Sequence, residues 1–167
     1  MEELTSKDRQ ACCRPAAISL ECPVCGKRGR KVGKDTLDHH LAAAARSKFG
    51  DQAGFCANPT CEVVYFDGAA TVLKGETLIA VTQKDRGDEV NVCYCFDFKR
   101  ADIRRDLVAR GATDILDQIK RGIDEGRCAC ERMNPQGACC LGNVAAAVKQ
   151  IAAELKTGGS RRGVGER

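Results

Sequence analysis

The twelve cysteines of this 167-residue chain occur as close pairs, and such pairs predict metal binding. Thiolates at short spacing can converge on one soft ion, because a single turn of chain presents both sulfurs on the same side. The first half of the chain carries spacings typical of zinc sites, and the second half carries spacings that suit an iron–sulfur cluster. The pairs are Cys12-Cys13, Cys22-x2-Cys25, Cys56-x4-Cys61, Cys93-x-Cys95, Cys128-x-Cys130 and Cys139-Cys140.

The first predicted site is a zinc site built from two of these pairs. Cys22 and Cys25 form a zinc knuckle, in which the following Gly26 permits the tight turn that aims backbone N–H groups at sulfur. Cys56 and Cys61 supply the second pair. Four thiolates at about 2.3 Å form a closed tetrahedral shell with no position for water, so we expect this zinc to be structural.

Two alternatives for the first site are weaker. A thioredoxin-like redox motif would follow a strand of a βαβ unit, and no strand is predicted before Cys22. His39 or His40 could replace one sulfur, but we expect both histidines on the surface of a helix.

The second predicted site lies in the C-terminal half. Cys93 and Cys95 precede a predicted helix, and Cys140 lies at the start of another. The partial positive charge and free N–H groups of a helix N-terminus favour an anionic cluster and make it easier to reduce. The later cysteines, Cys128, Cys130, Cys139 and Cys140, offer two more thiols than four-ligand binding needs. Zinc is the alternative metal here, although these spacings fit an iron–sulfur cluster better.

The pattern of elements predicts an α+β protein with two small units. We expect a flexible leader at 1–18, a zinc-binding αβ unit at 19–90, a three-helix cluster-binding unit at 91–156 and a disordered basic tail at 157–167. The polar stretch 84–89 is the predicted boundary between the units.

Periodicity and turn residues predict the individual elements. Thr36 is expected to cap a helix that continues to about Phe49. The best strand signals are 62–66 and 77–82, and the predicted helices of the second half are 99–110, 114–124 and 141–155.

Composition narrows the class of protein. Aromatic residues make up only 4% of the chain and tryptophan is absent, so a metal is expected to support a small core. No signal peptide is recognisable in residues 1–17 and no run approaches the length of a membrane span, which favours a cytoplasmic protein over a disulfide-bonded one. The formal charge of +4 counts every thiol as neutral. Zinc and an oxidised [2Fe–2S] core with four thiolates each contribute about −2, so the loaded protein is near neutral.

Several motifs together resemble a known family. The run VCYCF at 92–96, a helix-turn-helix and a cysteine loop ending in CCLGNV are similar to the bacterioferritin-associated ferredoxin type of [2Fe–2S] module. The extended loop CACERMNPQGACCLGNV resembles the N-terminal domain of CopZ-type copper chaperones, which join such a cluster to a zinc-binding unit. The leader Cys12-Cys13, CPVCG and the Cys56-x4-Cys61 pair followed by VVYF stand in the family's order, so the resemblance covers roughly 12–156.

The resemblance implies a ligand set and a function. The cluster ligands would be Cys93, Cys95, Cys130 and Cys140, with Cys128 in place of Cys130, or Cys139 in place of Cys140, left open. The protein would be a metallochaperone-type protein that transfers single electrons to reduce and help traffic copper or another soft metal. Its partners would be a redox protein and a metal transporter or separate chaperone domain. Many relatives carry a heavy-metal-associated domain with a G-M-x-C-x-x-C loop that has no match in this sequence, so other thiols or a separate partner are expected to pass copper on.

The sequence also leaves two competing functions open and offers one further metal site. A ferredoxin-like electron carrier without metal cargo is the main alternative, and few aromatics with a near-neutral loaded charge disfavour a nucleic-acid module. No nucleophile–base constellation is recognisable and there are only two histidines, so we expect no enzyme beyond one-electron reduction of Cu(II). Cys12 and Cys13 lie outside both four-cysteine sites and suit transient capture of a soft metal.

Overall fold

A computed structural model describes residues 18–159. Its first half is built on a four-stranded antiparallel sheet in the order β1-β2-β3-β4. The strands are β1 (Arg30–Gly33), β2 (Gln52–Phe55), β3 (Val63–Asp67) and β4 (Ala70–Leu73). Each strand pairs with the next one along the chain. Loops at the same edge of the sheet therefore lie close together and can carry ligands to one site.

Two short helices connect β1 to β2 and cover the sheet. They are α1 (Lys34–His40) and α2 (Ala43–Arg46), and a 3₁₀ turn follows β4 at Lys74–Glu76. Leu37 of α1 packs into a core with Phe55 and Tyr65, whose side chains are fully buried. Burying these large side chains supplies most of the hydrophobic stabilisation available to this half.

The predicted helix from Thr36 to Phe49 is wrong as a single element. α1 ends at His40 because Leu41 adopts an extended conformation (φ −122°, ψ 135°) and pairs with Thr77 across an isolated bridge. Thr36 lies inside α1, where its hydroxyl donates to the carbonyl of Glu131 instead of capping the helix.

The strand predictions are mixed. The strand predicted at 62–66 is confirmed as β3, whose bounds are shifted by one residue towards the C-terminus. The predicted strand at 77–82 is wrong, because only Thr77 pairs, through its bridge to Leu41, and turns follow. The hairpin partner of β3 is instead β4, which follows a tight turn through Gly68.

The second half is a short hairpin followed by helices. The hairpin is β5 (Asn91–Cys93) with β6 (Phe98–Lys99). The helices are α3 (Arg100–Arg110), α4 (Ile115–Asp124), α5 (Cys130–Met133) and α6 (Leu141–Gly159). The three predicted helices are confirmed as α3, α4 and α6 to within a few residues, and the loop between α4 and α6 contains the extra turn α5.

The C-terminal boundary needs one correction. α6 continues to Gly159, so the part of the predicted disordered tail at 157–159 is helical, and 160–167 lie outside the described residues. Within 18–159 no helix is both long and apolar enough to cross a bilayer.

The second half has its own core, and cysteines are part of it. Ile103, Ile119, Val144 and Ile151 are fully buried or nearly so, and they pack with Cys93, Cys130 and Cys140. These three cysteines are therefore packed among aliphatic side chains.

Buried hydrogen bonds join the two halves. The hydroxyl of Tyr65, on β3, donates to the carbonyl of Pro135 at 2.8 Å. The hydroxyl of Tyr94, between two cysteines of the second half, donates to the carbonyl of Ala80 at 2.9 Å. The cysteine loop of the second half thus lies against the sheet of the first, and the unit boundary near 84–89 stays a prediction.

Candidate metal centres

The first knuckle is shaped by a glycine turn. The Gly26 amide donates to the carbonyl of Cys22 at 2.8 Å, and the Cys22 amide donates to the carbonyl of Lys27 at 3.0 Å. Gly26 has φ +67°, a left-handed conformation that side chains with a Cβ rarely adopt. These bonds hold the thiols of Cys22 and Cys25 on one side of the turn.

The second knuckle is the loop between β2 and β3. Cys56 directly follows β2, and its amide donates to Val64 of the neighbouring strand at 2.9 Å. Lys84 pins the far side of this loop, since its Nζ donates to the carbonyls of Asn58 (2.7 Å) and Cys61 (2.9 Å). The role of Lys84 could not be predicted from the sequence, because its contacts come from tertiary structure that no local pattern reveals.

The four predicted zinc ligands come together. The Sγ atoms of Cys22 and Cys61 are 4.0 Å apart and those of Cys25 and Cys56 are 3.7 Å apart. All four sulfurs lie within 4.8 Å of one another. A tetrahedral ion with bonds of about 2.3 Å requires sulfur–sulfur distances of about 3.8 Å. The four sulfurs are therefore close to the arrangement of a single closed zinc site.

The thiols of this site differ in acidity. The Asn58 side chain, followed by the Lys27 backbone, lowers the pKa of Cys25 to about 6. Burial raises the pKa of Cys56 to about 12 and also raises the pKa of Cys61. Cys25 is therefore a thiolate at neutral pH, and a metal must displace protons from its more buried partners.

The second group of cysteines forms two sulfur pairs. The Sγ atoms of Cys93 and Cys140 are 3.3 Å apart. The Sγ atom of Cys95 lies 3.7 Å from that of Cys130 and 4.0 Å from that of Cys128. The four predicted ligands thus lie in two sulfur pairs rather than in one four-sulfur group.

Cys139 and Cys140, which the sequence left as alternative ligands, have different surroundings in the structure. Cys140 is buried against Cys93, whereas its neighbour Cys139 is exposed. Cys128 and Cys130 are not separated in this way, since their sulfurs are 3.2 Å apart and both lie near Cys95. Within the described residues Cys95, Cys128 and Cys130 also form a compact group able to hold an ion.

Hydrogen bonding and burial set the charge of these thiols. A hydrogen bond from Cys140 lowers the pKa of Cys93 to about 7, and the same bond with burial raises the pKa of Cys140. Burial raises the pKa of Cys130. Burial likewise raises the pKa of Cys95, and the Ala129 amide, which donates to its Sγ at 3.4 Å, offsets part of that shift. α6 begins directly after Cys140, as expected from the sequence.

A surface cleft reaches this second group. Its volume is about 680 Å³, and Cys128, Cys130 and Cys139 line it together with Asp35. These thiols are therefore approachable from solvent, in contrast to the buried Cys93. The predicted transient site at Cys12 and Cys13 lies outside the described residues.

The expectation that both histidines are surface residues is wrong for one of them. His39 is exposed, but His40 is 1% exposed, and its ring lies 6.4 Å from that of Tyr94. Neither ring nitrogen makes a hydrogen bond, and His40 is not part of either cysteine group. His40 lies three residues after the buried Leu37, on the same helix face. This spacing is the sequence signal that could have predicted its burial.

Comparisons with known proteins agree with the first of these sites. Residues 19–78 match the family zf_CopZ, described as a zinc binding domain. The chain is 30% identical over 121 residues to the copper chaperone CopZ of Archaeoglobus fulgidus, which covers 72% of this chain and 58% of that protein. It therefore spans little more than half the length of this curated relative.

A solved structure gives the same relationship. The X-ray structure of the Archaeoglobus fulgidus CopZ N-terminal domain superposes with a TM-score of 0.63 at 29% identity, over 72% of this chain and 91% of that one. Cys22, Cys25, Cys56 and Cys61 all lie within the segment that matches the zinc binding domain. Residues 19–78 are thus similar to the zinc binding domain of CopZ-type proteins, and most of the chain is similar to a copper chaperone.

Proposed function

We propose that this protein is a cytoplasmic copper-handling protein with a structural zinc in its first half and a [2Fe–2S] cluster in its second. The observation that carries the proposal is the arrangement of Cys93 with Cys140 and of Cys95 with Cys130, two sulfur pairs assembled from distant parts of the chain. A [2Fe–2S] core takes two thiolates on each iron, so two neighbouring pairs match its needs. When bound, such a cluster would supply single electrons that convert Cu(II) to Cu(I).

The same arrangement argues against zinc at the second site. A tetrahedral ion needs all four sulfurs close together, as in the first site. Cys93 and Cys140 do not join the compact group of Cys95, Cys128 and Cys130. A binuclear centre takes two separate thiolate pairs, and the pairing of Cys93 with Cys140 and of Cys95 with Cys130 supports it over a single ion.

The chain supports an anionic centre through its own groups. The Ala129 amide is directed at the sulfur of Cys95, and the free N–H groups at the start of α6 follow Cys140. Ile103 and Val144 exclude water from the buried pair. Together these contacts stabilise thiolates in a largely apolar setting.

Copper enters as cargo. A relative of this chain is named a copper chaperone, and Cu(I) is a soft ion that prefers thiolates. Cys139 is an exposed thiol beside the proposed cluster, and Cys12 and Cys13 are further candidates for capture. A redox protein would supply electrons, and a transporter or separate chaperone domain would receive the ion. Thiols of this kind persist in a reducing compartment, which supports a cytoplasmic location.

Metal content and copper reactivity test the proposal. Anaerobically purified protein should be brown, with about two Fe and about one Zn per chain. The dithionite-reduced protein should be reoxidised by Cu(II) and should retain Cu(I). The double variant Cys12→Ser/Cys13→Ser should keep reoxidation but lose much of the retained Cu(I). Equal retention would assign capture to Cys128 or Cys139.

Two outcomes would overturn parts of this proposal. Colourless protein that contains zinc alone would exclude the cluster. Brown protein that does not react with Cu(II) would leave a ferredoxin-like electron carrier without cargo as the better function.

A further inference from the structure

A second cleft of the molecule is lined by no cysteine. It has a volume of about 200 Å³. It lies where the zinc-site loop, the segment between the halves, the start of α3 and one face of α6 meet. Its polar or conformationally restricted lining residues include Pro59, Gln83, Arg86, Arg100, Asn143 and Gln150.

Arg100 is the unusual member of this lining. It is only 3% exposed, and its Nε is buried without a hydrogen-bond partner. Among residues 18–159 its guanidinium forms no ion pair and donates no hydrogen bond. A buried guanidinium is costly to desolvate unless an anion or several acceptors replace its water.

The nearby carboxylates are already engaged by another arginine. Arg104, one helical turn further along α3, pairs with Asp88 at 3.1 Å and with Glu154 at 2.9 Å. Burial lowers the pKa of Arg100, the charge of Glu154 acts against this shift, and the positive charge of Arg86 acts with it. Two arginines therefore line one small cleft without a described carboxylate paired to either.

Gln83 adds a constraint on what could fill the cleft. Its Nε2 donates to the Oε1 of Gln136 at 2.7 Å, which fixes its own Oε1 as an acceptor. That Oε1 is buried and has no partner. A ligand that satisfied both orphaned groups would present negative oxygens to Arg100 and a hydroxyl to Gln83. Hydrogen phosphate carries both, whereas a carboxylate carries only the first.

We propose that the cleft between Arg86, Arg100 and Gln83 binds a small oxyanion, with phosphate favoured over a carboxylate. The anion would neutralise a buried charge at the junction of the two halves. Because the zinc-site loop and α6 both line the cleft, binding would stabilise the packing of one half against the other.

Titration of the metal-loaded, full-length protein tests this site. Inorganic phosphate and, separately, acetate are added at constant ionic strength, with calorimetry for affinity and thermal unfolding for linkage. Wild-type protein should bind phosphate saturably, and its Tm should rise with the logarithm of phosphate concentration. Phosphate should bind more tightly than acetate, and tighter binding of acetate would overturn the assignment of phosphate as the ligand.

Three arginine variants assign the binding. Arg100→Gln should weaken phosphate binding by at least about tenfold, as expected for loss of a charged donor. Arg86→Gln, at an exposed position where folding is not at risk, should weaken it by about fivefold. Arg105→Gln is the matched control on the same helix, since Arg105 is exposed and does not line the cleft.

The outcomes are separable. In phosphate-free buffer Arg100→Gln should melt no lower than wild type, because it removes an unpaired buried charge. Absence of saturable binding of both anions to wild type would overturn the proposal. Equal loss of binding in Arg105→Gln and Arg86→Gln would also overturn it, because the effect would then reflect surface charge alone.

Discussion

The two cysteine regions of this molecule differ in the number of thiols that lie near each predicted metal site relative to the four ligands that the site needs. The first holds four sulfurs on two knuckles, all within 4.8 Å, with no further cysteine nearby among the described residues. The second holds two pairs, a neighbouring Cys128 and the exposed Cys139.

This difference follows from the supporting structure. Backbone hydrogen bonds of a sheet and a tight turn fix the first set, and Lys84 holds its loop by two carbonyls. The second set draws on a hairpin and a loop beside a solvent cleft. A closed, fully specified site suits a structural ion, whereas spare thiols beside an open cleft, such as Cys128 and Cys139, suit an exchangeable soft ion.

The largest expected effect comes from removing one ligand of the first site. Cys56→Ser should abolish zinc binding and unfold residues 19–90, because structural zinc contributes about 10–16 kcal/mol of apparent binding free energy. That exceeds or equals the whole stability of a typical domain, about 5–15 kcal/mol. Zinc analysis and thermal unfolding measure both effects, and Cys25→Ser should behave alike.

Cys139→Ser is the reference for that experiment, because Cys139 is exposed and outside the group. It should keep zinc and a wild-type melting curve. If Cys56→Ser also kept both, the four-sulfur group would not be the zinc site.

The next effect is confined to the second region. Cys140→Ser should lose or strongly shift the visible absorption of the proposed cluster, because Cys140 is buried against Cys93. The adjacent Cys139→Ser should leave the spectrum nearly intact. Cys130→Ser and Cys128→Ser form a second comparison, in which we expect loss for the first and little change for the second.

Iron content and absorption spectra check these four variants, and zinc content shows whether the first region is affected. The reverse pattern for Cys128 and Cys130 would make Cys128 the ligand. Loss of zinc in Cys140→Ser would show that the two regions do not fold independently.

Sequence patterns were sufficient for elements whose signal is local. α3 and α4 end at or near glycines with positive φ, Gly111 and Gly126, and β3 is a continuous apolar run. The four-cysteine group of the first region was likewise predictable, because the cysteine spacing is itself the signal.

Elements that depend on distant contacts were missed. β1 has a single buried residue, Val32, so its pattern resembles a polar loop. β2 contains Gly54, where an added Cβ would lie 2.5 Å from the ring of Phe66. The glycine is required by a close approach in three dimensions, and nothing local distinguishes it from a turn glycine.

The buried histidine should make the junction between the regions sensitive to pH. Burial, with a smaller effect of His39, lowers the pKa of His40 to about 4, whereas an unfolded histidine titrates near 6.5. Between these values the unfolded chain binds the extra proton. This contribution to stability is therefore complete above about pH 6.5 and is lost as the pH falls towards 4.

The loss amounts to at most about 3 kcal/mol across that window. Chemical denaturation at several pH values measures it. His40→Gln should show a flatter pH dependence than wild type, and His39→Gln, changed at the exposed neighbour, should follow wild type. Parallel curves for the two variants would exclude His40 as the titrating group.

The smallest expected effect concerns the hydrogen bond that ties the sheet to the cysteine loop. Tyr65→Phe keeps the buried ring but leaves the carbonyl of Pro135 without its partner at 2.8 Å. An unsatisfied buried acceptor costs about 1–3 kcal/mol, so denaturation should show a loss of that size. Ser47→Ala removes an exposed hydroxyl bond and should change little. If Tyr65→Phe loosens only the packing between the two regions, hydrogen exchange at Gly137 should accelerate while the zinc content stays constant. The reason is that the Tyr65 hydrogen bond holds the cysteine loop against the sheet, whereas the zinc knuckles do not depend on that bond.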